Sequence, residues 1–404
     1  MNLKSELLKL LPSEQQLFDQ ISKSIGSDKI LHQIYEKIIK TTNTEDNNKI
    51  SLEFLDVIID YLHESLHIGE WYAVDIKLRK SFSLASLLKV LCLLKNNDEN
   101  TSEVLGECAY LLDMAIMLGD TITSKINGDK IQVLPKAARL ISNCLEEVKS
   151  ESEPSKKRIK IDMDYDENVK CDIPVYDKPS LELFIKNHYT LQKPVLLRNT
   201  INHWPALEKW KDLNYLISNA SGRTVPVELG SQYTSENWSQ SLMKFDDFIV
   251  NHVIPDPNSI QDKVYLAQHD LFDQIPELKD DISVPEYISD PSPRIKAWLG
   301  PQGTVSPLHT DPTHNLLCQV LGKKNVILAS PDDTNNLYAH DHFILNNTSQ
   351  VDVENIDFEK FPLCKDVKFY HILLQQGDVL YIPPKWWHHI RSLSPSFSIS
   401  YWFD

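Results

Sequence analysis

The sequence predicts an α+β protein in which an all-helical region precedes a β-rich barrel. Apolar residues recur at helical spacing through residues 1–149. After residue 171 the pattern changes to short apolar or alternating segments bounded by Pro, Gly, Asn and Asp. Only two of the 22 prolines precede residue 150, whereas seven of the eight tryptophans follow residue 200. Two architectures are therefore joined in one chain of 404 residues.

Three leucine-rich stripes predict amphipathic helices in an N-terminal domain, residues 1–149. They run through Leu55–Leu66, Leu84–Leu94 and Val104–Ala115, with apolar side chains three or four residues apart. The simplest interpretation is that these stripes form a helical core. The alternative is that one of them lines a groove for a partner helix.

Residues 150–170 predict a charged, flexible linker. Eleven of its 21 residues are charged and Tyr165 is its only aromatic residue, which is too little apolar surface for a core. The basic run Lys156–Lys160 predicts nuclear import, with the cytoplasm as a second location. An ordinary solvated linker is the alternative interpretation of the same run.

Residues 171–404 predict a second domain built as a jelly-roll barrel. Three apolar runs predict strands, Val195–Arg198, Val326–Ala329 and Val379–Ile382, and the last is stopped by two prolines. The alternating segment Phe397–Trp402 predicts an antiparallel strand with two different faces. A series of short strands without long helices favours a sandwich or a jelly roll. Two segments predict flanking helices, 205–211 and 244–250.

Charge and composition exclude several classes of function. The net charge of −16 argues against direct nucleic-acid binding and suits a basic partner. No apolar run approaches the roughly 18 residues that span a bilayer, so we expect no membrane insertion and no signal peptide. The six cysteines form no close pairs, so neither a disulfide framework nor a zinc cluster is predicted.

The segment Trp298–Pro312 carries the clearest chemical signal. On an extended backbone His309 and Asp311 lie on the same face, where they supply two of the three ligands of a two-histidine, one-carboxylate iron site. The third ligand must come from a distant strand, and His388 and His389 are both candidates. Adjacent strand residues face opposite ways, so the pattern admits one of them without choosing which. A competing cluster at 340–342 is better explained as a polar loop.

Two histidines and one carboxylate are the ligand set of non-haem Fe(II) oxygenases. An oxygenase of this kind also needs 2-oxoglutarate, whose buried carboxylate requires a cation and hydrogen-bond donors. Lys324 follows the turn at Gly322 at the start of a predicted strand, and it is the candidate cation. An ordinary exposed lysine beside Lys323 is the alternative.

From about Ile173 to its C-terminus the sequence resembles the Jumonji-C family of Fe(II)- and 2-oxoglutarate-dependent oxygenases. The motifs that carry the resemblance are Tyr265–His269, Leu271–Leu278, Trp298–His309 and Asn347–Asn355. The helical half resembles the family more loosely. The resemblance implies a double-stranded β-helix barrel that uses Fe(II), 2-oxoglutarate and dioxygen.

The resemblance also assigns residues to roles, and it selects His388 over His389. It implies three iron ligands and catalytic residues: His309, Asp311 and His388. It implies four residues for 2-oxoglutarate: Tyr265, Ser306, Asn315 and Lys324. It implies four positions for the substrate: Glu228, Gln268, Trp298 and Trp402. The alternative for the two tryptophans is a place in the core, and for Glu228 a solvent-facing strand position.

The implied activity is hydroxylation of a basic side chain in a protein or peptide, with histones among the candidate substrates. Hydroxylation at C3 of arginine leaves a stable alcohol, whereas hydroxylation of an N-methyl group on histone H3 lysine ends in demethylation. Arginine is favoured because a guanidinium pairs bidentately with a carboxylate, while a methylated ammonium seeks an aromatic cage. Two other hypotheses are a non-enzymatic chromatin scaffold and a cupin-type metal enzyme that does not use 2-oxoglutarate.

Overall fold

The computed structural model describes most of the chain. The described positions are 3–13, 49–97, 101–126, 129–152, 171–230, 232–235, 237–254, 263–342 and 345–404, together with Gln16, Asp19, Glu36 and Ile161. Of the predicted linker, the described residues are 150–152, at the end of a helix, and Ile161. The basic run Lys156–Lys160 lies outside the described residues, so nuclear location stays a prediction.

The described N-terminal region is mainly helical, as predicted. Its helices are α1 Leu3–Leu10, α2 Lys49–Leu66, α3 Ile76–Asn96, α4 Ser102–Leu118 and α5 Val133–Ser152. A short hairpin, β1 Thr123–Ile126 with β2 Asp129–Gln132, precedes α5 and has no alternating apolar pattern that would have predicted it. Within the described residues, no helix is both long enough and apolar enough to cross a bilayer.

The leucine stripes form the core of this region. Leu55, Leu88 and Leu112 come from three different helices, and each is at most 1% exposed. They belong to one apolar cluster that α2, α3, α4 and α5 share. Asp75 and Thr101 cap α3 and α4 by accepting hydrogen bonds from backbone N–H groups two or three residues ahead. The core-forming interpretation of the stripes therefore holds.

The C-terminal region consists of two facing β-sheets. The larger has the order β3-β4-β13-β10-β15-β8-β7-β5-β6 and the smaller has the order β12-β11-β14-β9. All neighbours are antiparallel except β3 and β4. The strands are β3 Val175–Asp177, β4 Val195–Arg198, β5 Thr224–Leu229, β6 Ser239–Lys244, β7 Val264–His269, β8 Arg294–Gly300, β9 Val305–Thr310, β10 His314–Leu321, β11 Lys324–Ala329, β12 Tyr370–Leu374, β13 Val379–Ile382, β14 Trp387–Ser392 and β15 Ser396–Phe403.

The predicted strands and flanking helices of this region are confirmed. Short helices lie beside the larger sheet: α6 Leu181–Phe184, α7 Ala206–Lys209, α8 Leu213–Asn219, α9 Phe245–Phe248, α10 Leu271–Gln274 and α11 Pro276–Lys279. Between the two sheets, side chains such as Leu317, Val326 and Leu380 form an apolar cluster. The remaining space between the sheets is lined by polar groups and holds the candidate site.

The alternating residues of strand β15 give the barrel interior a polar lining on the side of the larger sheet. Phe397, Ile399 and Tyr401 pack into the cluster on the outer side of the larger sheet. The alternate residues face the barrel interior, where Ser400 Oγ accepts a hydrogen bond from Trp298 Nε1 at 3.0 Å. All eight residues of the strand are buried. The alternating pattern here therefore separates an apolar core from a polar interior, and neither face lies in solvent.

A buried ion pair joins the two regions. Asp113 of α4 and Arg223, just before β5, both have fully buried side chains, with Asp113 Oδ1 2.6 Å from Arg223 Nη2. Asp113 Oδ2 accepts a hydrogen bond from the backbone N–H of Thr224 at 2.7 Å, and Gln274 Nε2 donates to Asp113 Oδ1 at 2.8 Å. A single helical carboxylate thus fixes the start of β5 and the end of α10.

Candidate active site

Two neighbouring strands bring three metal-ligating groups together. His309 lies on β9, Asp311 directly follows β9, and His388 lies opposite His309 on β14. Asp311 Oδ2 is 3.6 Å from His388 Nε2, and the two imidazole centroids are 4.1 Å apart. One ligand atom from each of the three residues lies within 4.8 Å of the others. The predicted convergence of two histidines and one carboxylate is therefore present in the structure.

Hydrogen bonds to the backbone orient both imidazoles. His309 Nδ1 lies 2.7 Å from the carbonyl oxygen of Pro307, and His388 Nδ1 lies 3.0 Å from that of Trp386. Because a carbonyl only accepts, each Nδ1 carries the proton and donates it. The Nε2 lone pairs of both residues are then free for a metal, in the arrangement typical of histidine ligands.

The surroundings favour the protonation state that a metal ion requires. Burial, reinforced by His388, lowers the pKa of His309 to about 4. Burial alone would raise the pKa of Asp311, but the neighbouring imidazoles of His388 and His309 lower it to about 2. His309 is therefore neutral and Asp311 ionised at neutral pH, which is the state in which these groups bind metals.

A β-bulge in β9 places Ser306 on the same face as His309. His388 pairs with His309 and Ile390 pairs with Ser306, so two residues of β9 lie opposite one residue of β14. Strict alternation would put Ser306 and His309 on opposite faces, because they are three residues apart. Pro307, which has no backbone N–H, occupies the bulge. Both polar side chains consequently line one cavity.

The adjacent histidine faces away from this cavity. His389 Nε2 lies 4.0 Å from Glu354 Oε2, on the other face of β14. The polar cluster at 340–342 lies in a loop and contributes none of the three grouped ligands. The structure therefore decides between the two candidates that the pattern left open, and it brings His388 to the triad.

The residues predicted for 2-oxoglutarate line the same cavity. Lys324 is 2% exposed, so it is not the ordinary surface lysine that was the alternative. Its Nζ donates a hydrogen bond to Tyr265 Oη at 3.3 Å, and no carboxylate among the described residues pairs with it. Burial lowers the pKa of Lys324 to about 7. Asn315 Oδ1 is also buried and has no hydrogen-bond partner in the described part of the chain.

This set of groups fits a bound dicarboxylate. An unpaired buried ammonium is destabilised until an anion neutralises it, and hydroxyl and amide groups complete the shell of a buried carboxylate. Ser306 and Tyr265 supply the hydroxyl groups. Gly300 makes room for the Tyr265 ring, since a Cβ at this position would lie 2.7 Å from Tyr265 Cδ2.

The four predicted substrate positions also border this cavity, whose volume is about 400 Å³. Trp298 and Trp402 pack edge to face with their ring centroids 6.4 Å apart. Glu228 is partly buried on β5, and burial raises the pKa of its carboxyl group. Gln268 has a positive φ of 52° where the pairing of β7 with β8 is irregular. All four residues therefore line the cavity that also contains the metal-ligating groups.

Several lining residues were not predicted. Tyr233 and Thr348 border the cavity, and their hydroxyl oxygens lie 3.1 Å apart. The ring of Tyr233 stands at 90° to the His309 ring, with the centroids 6.5 Å apart. Asn347 Nδ2 donates to the carbonyl oxygen of Thr310 at 3.0 Å. These residues lie outside the regular strands, so periodicity gave no signal for them, although Asn347 and Thr348 fall in a segment that carried the family resemblance.

Comparisons with known proteins agree with this geometry. Residues 180–404 match the family model described as a cupin-like domain. Over 425 aligned residues the chain is 41% identical to Jumonji C domain-containing protein 5 of Drosophila melanogaster, covering 99% of this chain and 98% of the relative. It is 39% identical to lysine-specific demethylase 8 of Danio rerio, covering 89% of both chains. It is 35% identical to lysine-specific demethylase JMJ30 of Arabidopsis thaliana, covering 85% of this chain and 84% of the relative.

Proposed function

The chain belongs to the cupin-like Jumonji-C domain family of 2-oxoglutarate-dependent oxygenases, and on that premise we propose that it hydroxylates arginine side chains of protein substrates at C3. The observation that carries the choice of arginine is the position of Glu228. Its partly buried carboxylate borders the cavity of the metal-ligating triad, beside two tryptophan rings. The geometry of that cavity supports the following roles for its residues.

Each group in the cavity has a role that follows from its chemistry. His309, Asp311 and His388 would hold Fe(II) through two Nε2 atoms and one carboxylate oxygen. Lys324 would pair with the remote carboxylate of 2-oxoglutarate, assisted by three neutral side chains: Tyr265, Ser306 and Asn315. When bound, Fe(II) and 2-oxoglutarate supply the dioxygen chemistry that converts a C–H bond into a C–OH bond. The protein's own groups bind, orient and exclude water, and no side chain needs to act as a general base.

The substrate end of the cavity suits a guanidinium group. The Glu228 carboxylate has no ion-pair partner among the described residues, and burial raises its pKa because the charged form is poorly solvated there. A guanidinium would restore the charged form through two parallel hydrogen bonds. The faces of Trp298 and Trp402 offer stacking surfaces for a planar cation.

Demethylation of lysine is the second candidate. Two of the relatives carry the name lysine-specific demethylase. Two tryptophan rings at 84° to each other also form part of the kind of aromatic surface that binds a methylated ammonium. The chemistry at the metal is the same for both substrates, so the outcome depends on which cation the cavity accepts.

Mass spectrometry of basic peptides distinguishes the two activities. The protein is incubated with Fe(II), 2-oxoglutarate and matched peptides that contain arginine or methylated lysine. We expect a gain of one oxygen on the arginine peptide, and at least a tenfold loss of that product in Glu228→Gln, since a neutral amide removes the charge-assisted pair. Glu286→Gln, at an exposed glutamate outside the cavity, is the matched control.

Loss of methyl groups from lysine without oxygen gain on arginine would reverse the proposed order. Full activity of Glu228→Gln on arginine would remove the observation on which the proposal depends. Succinate formation measured in the same reactions reports 2-oxoglutarate turnover independently of the peptide.

A further inference from the structure

A second, larger cavity lies between the helical region and the barrel. Its volume is about 790 Å³, roughly twice that of the cavity at the metal-ligating triad. The helical side contributes Met117 and Leu118 from the end of α4 and Leu134 from α5, and the barrel side contributes Pro226 and Leu242. The wall exposes more apolar than polar surface and is built by both parts of the chain. We refer to it as the interdomain cavity.

The β5–β6 ribbon connects the interdomain cavity to the candidate active site. Glu228 pairs with Gln240, and Pro226 pairs with Leu242, in the antiparallel register of the two strands. Residues two apart in a strand share a face, so all four side chains lie on one face of the ribbon. Glu228 and Gln240 border the active-site cavity, Pro226 and Leu242 border the interdomain cavity, and Gln240 borders both.

The spacing along this face matches that of an extended peptide. Two residues of a strand span about 7 Å. A substrate segment that follows the ribbon therefore has one side chain at Glu228 and the side chain two residues away at Pro226 and Leu242.

The chemistry of the wall favours an apolar side chain. Leu242 is 42% exposed and has its side chain in the cavity wall. Three aspartates also contribute to the wall, but each already lies near a lysine: Asp120 at 3.7 Å, Asp270 at 2.7 Å and Asp273 at 3.9 Å. Since a lysine already lies near each of these carboxylates, they give no strong preference for a second basic residue. An apolar group that covers Leu242 would bind more tightly because it removes apolar surface from water.

We propose that the interdomain cavity is a second substrate subsite that binds an apolar side chain two residues from the target residue of an extended peptide. The proposal rests on the proposed function, because it takes the target residue to be the arginine at Glu228. It assigns the helical region a direct part in substrate selection through Met117 and Leu118.

Steady-state kinetics of the full chain with a peptide series tests this proposal. Peptides carry one arginine with leucine at both positions two residues away, and each leucine is replaced in turn by glycine or aspartate. We expect one of the two positions to control binding, with KM for the peptide rising at least tenfold while KM for 2-oxoglutarate is unchanged. In Leu242→Asp the KM for the leucine peptide should rise similarly, and its preference for leucine over glycine should disappear.

The controls separate a local effect from a loss of folding. Leu363→Asp changes a leucine of similar exposure, 46% against 42%, in a segment that lines neither cavity, and it should leave every KM unchanged. Met117→Trp fills the cavity from the helical side. It should weaken binding of the leucine peptide without altering 2-oxoglutarate turnover in the absence of peptide. Melting temperatures of all variants verify that they fold.

Either of two results would contradict the proposed subsite. One is KM values within twofold of each other for all the peptides, and the other is an unchanged leucine preference in Leu242→Asp. If no arginine peptide is hydroxylated, the proposed function fails instead, and fluorescence anisotropy of the same labelled peptides still tests the subsite. Binding that is weakened by Leu242→Asp but not by Leu363→Asp supports it, and equal binding to all variants refutes it.

Discussion

At the scale of single residues, neighbouring histidines of one strand have entirely different environments. His388 turns toward Asp311 and the barrel interior, whereas His389 turns toward Glu354 on the outer face of β14. Strand alternation produces this difference without any change of residue type. Side-chain identity therefore matters here only in combination with the face on which the side chain lies.

Alanine substitution of the two histidines tests this assignment. His388→Ala removes one of three ligands and should weaken Mn(II) binding by more than about 100-fold, since loss of a group that merely supports a metal ligand already costs 10- to 100-fold. His389→Ala should retain binding and succinate formation within about threefold. Calorimetric titration with Mn(II) measures the affinity directly. Equal losses in both variants would contradict the ligand assignment.

The buried lysine predicts a pH dependence of cosubstrate binding. The pKa of Lys324 is lowered to about 7 by burial, and a dicarboxylate binds its protonated form. KM for 2-oxoglutarate should therefore be nearly constant below pH 7 and rise as the pH increases above it, by about tenfold per unit at the limit.

A charge-retaining variant provides the control for this profile. In Lys324→Arg the guanidinium stays charged throughout the range, so KM should not increase between pH 7 and 9, whatever its absolute value. Lys324→Met should give a high KM at every pH. An identical rise in the wild type and in Lys324→Arg would mean that another group controls the profile. Full activity of Lys324→Met on the substrate peptide would support the cupin-type enzyme that does not use 2-oxoglutarate.

At the scale of elements, irregularities in the strands build the site. The bulge in β9 aligns Ser306 with His309, and the irregularity between β7 and β8 accompanies the positive φ of Gln268. Bulges bend a strand and redirect its side chains, and they are frequent next to active sites. Gly300 also contributes to the site, because the Tyr265 ring occupies the space that a side chain at position 300 would need.

Alanine at two glycines should have opposite effects. In Gly300→Ala the new Cβ would lie 2.7 Å from Tyr265 Cδ2 and 2.9 Å from Thr304 Cγ2, so overpacking should reduce the free energy of unfolding by about 1–3 kcal/mol. Displacement of Tyr265 should also raise KM for 2-oxoglutarate. Gly106 lies within α4, and a Cβ at this position would have no neighbouring atom within 4 Å, so Gly106→Ala should stabilise the protein by roughly 0.5–1 kcal/mol.

Urea unfolding measures both effects, and 2-oxoglutarate titration of succinate formation measures the consequence for the site. A Gly300→Ala protein with unchanged stability and unchanged KM would show that the Tyr265 ring has room to move. Gly106→Ala should leave KM unchanged in every case, because α4 contacts the barrel through Asp113 and not through this face.

At the scale of the whole molecule, the helical region and the barrel share a buried polar network. Arg223 and Asp113 are fully buried, and His269 Nε2 lies 2.6 Å from the amide oxygen of Gln274, which itself contacts Asp113. The network ends at the start of β5 and at the end of β7. These are the strands that carry Glu228 and Tyr265 to the cavity.

Breaking this ion pair should destabilise the whole protein. Asp113→Ala leaves the Arg223 charge buried without a partner, so we expect a loss of about 3–5 kcal/mol in the free energy of unfolding. Glu107→Gln removes a partially exposed carboxylate that pairs with Lys89 on the neighbouring helix, and it should cost less than about 1 kcal/mol. Urea denaturation gives both values.

A double variant separates the buried charge from the loss of packing. In Asp113→Leu combined with Arg223→Met both charges are replaced by apolar groups, which should recover much of the stability lost in Asp113→Ala. A double variant that is no more stable than the single one would mean that the hydrogen bonds to Thr224 and Gln274 dominate the network.

Local spacing in the amino-acid sequence was enough to establish the order of the two architectures, the main strands and the presence of His309 and Asp311 on one face. These features depend on the 3.6-residue and two-residue repeats of helix and strand, which neighbouring residues set among themselves. The family resemblance added His388 and the residues for 2-oxoglutarate, and the structure places all of them around one cavity.

Two features of the site required the folded chain: the burial of Lys324 and the position of Ser306 beside His309. Burial and strand register depend on residues far apart in the chain, and a one-residue bulge reverses the faces that alternation predicts. The pairing of Asp113 with Arg223 and the interdomain cavity have the same origin, because both are formed by segments about 90 residues or more apart.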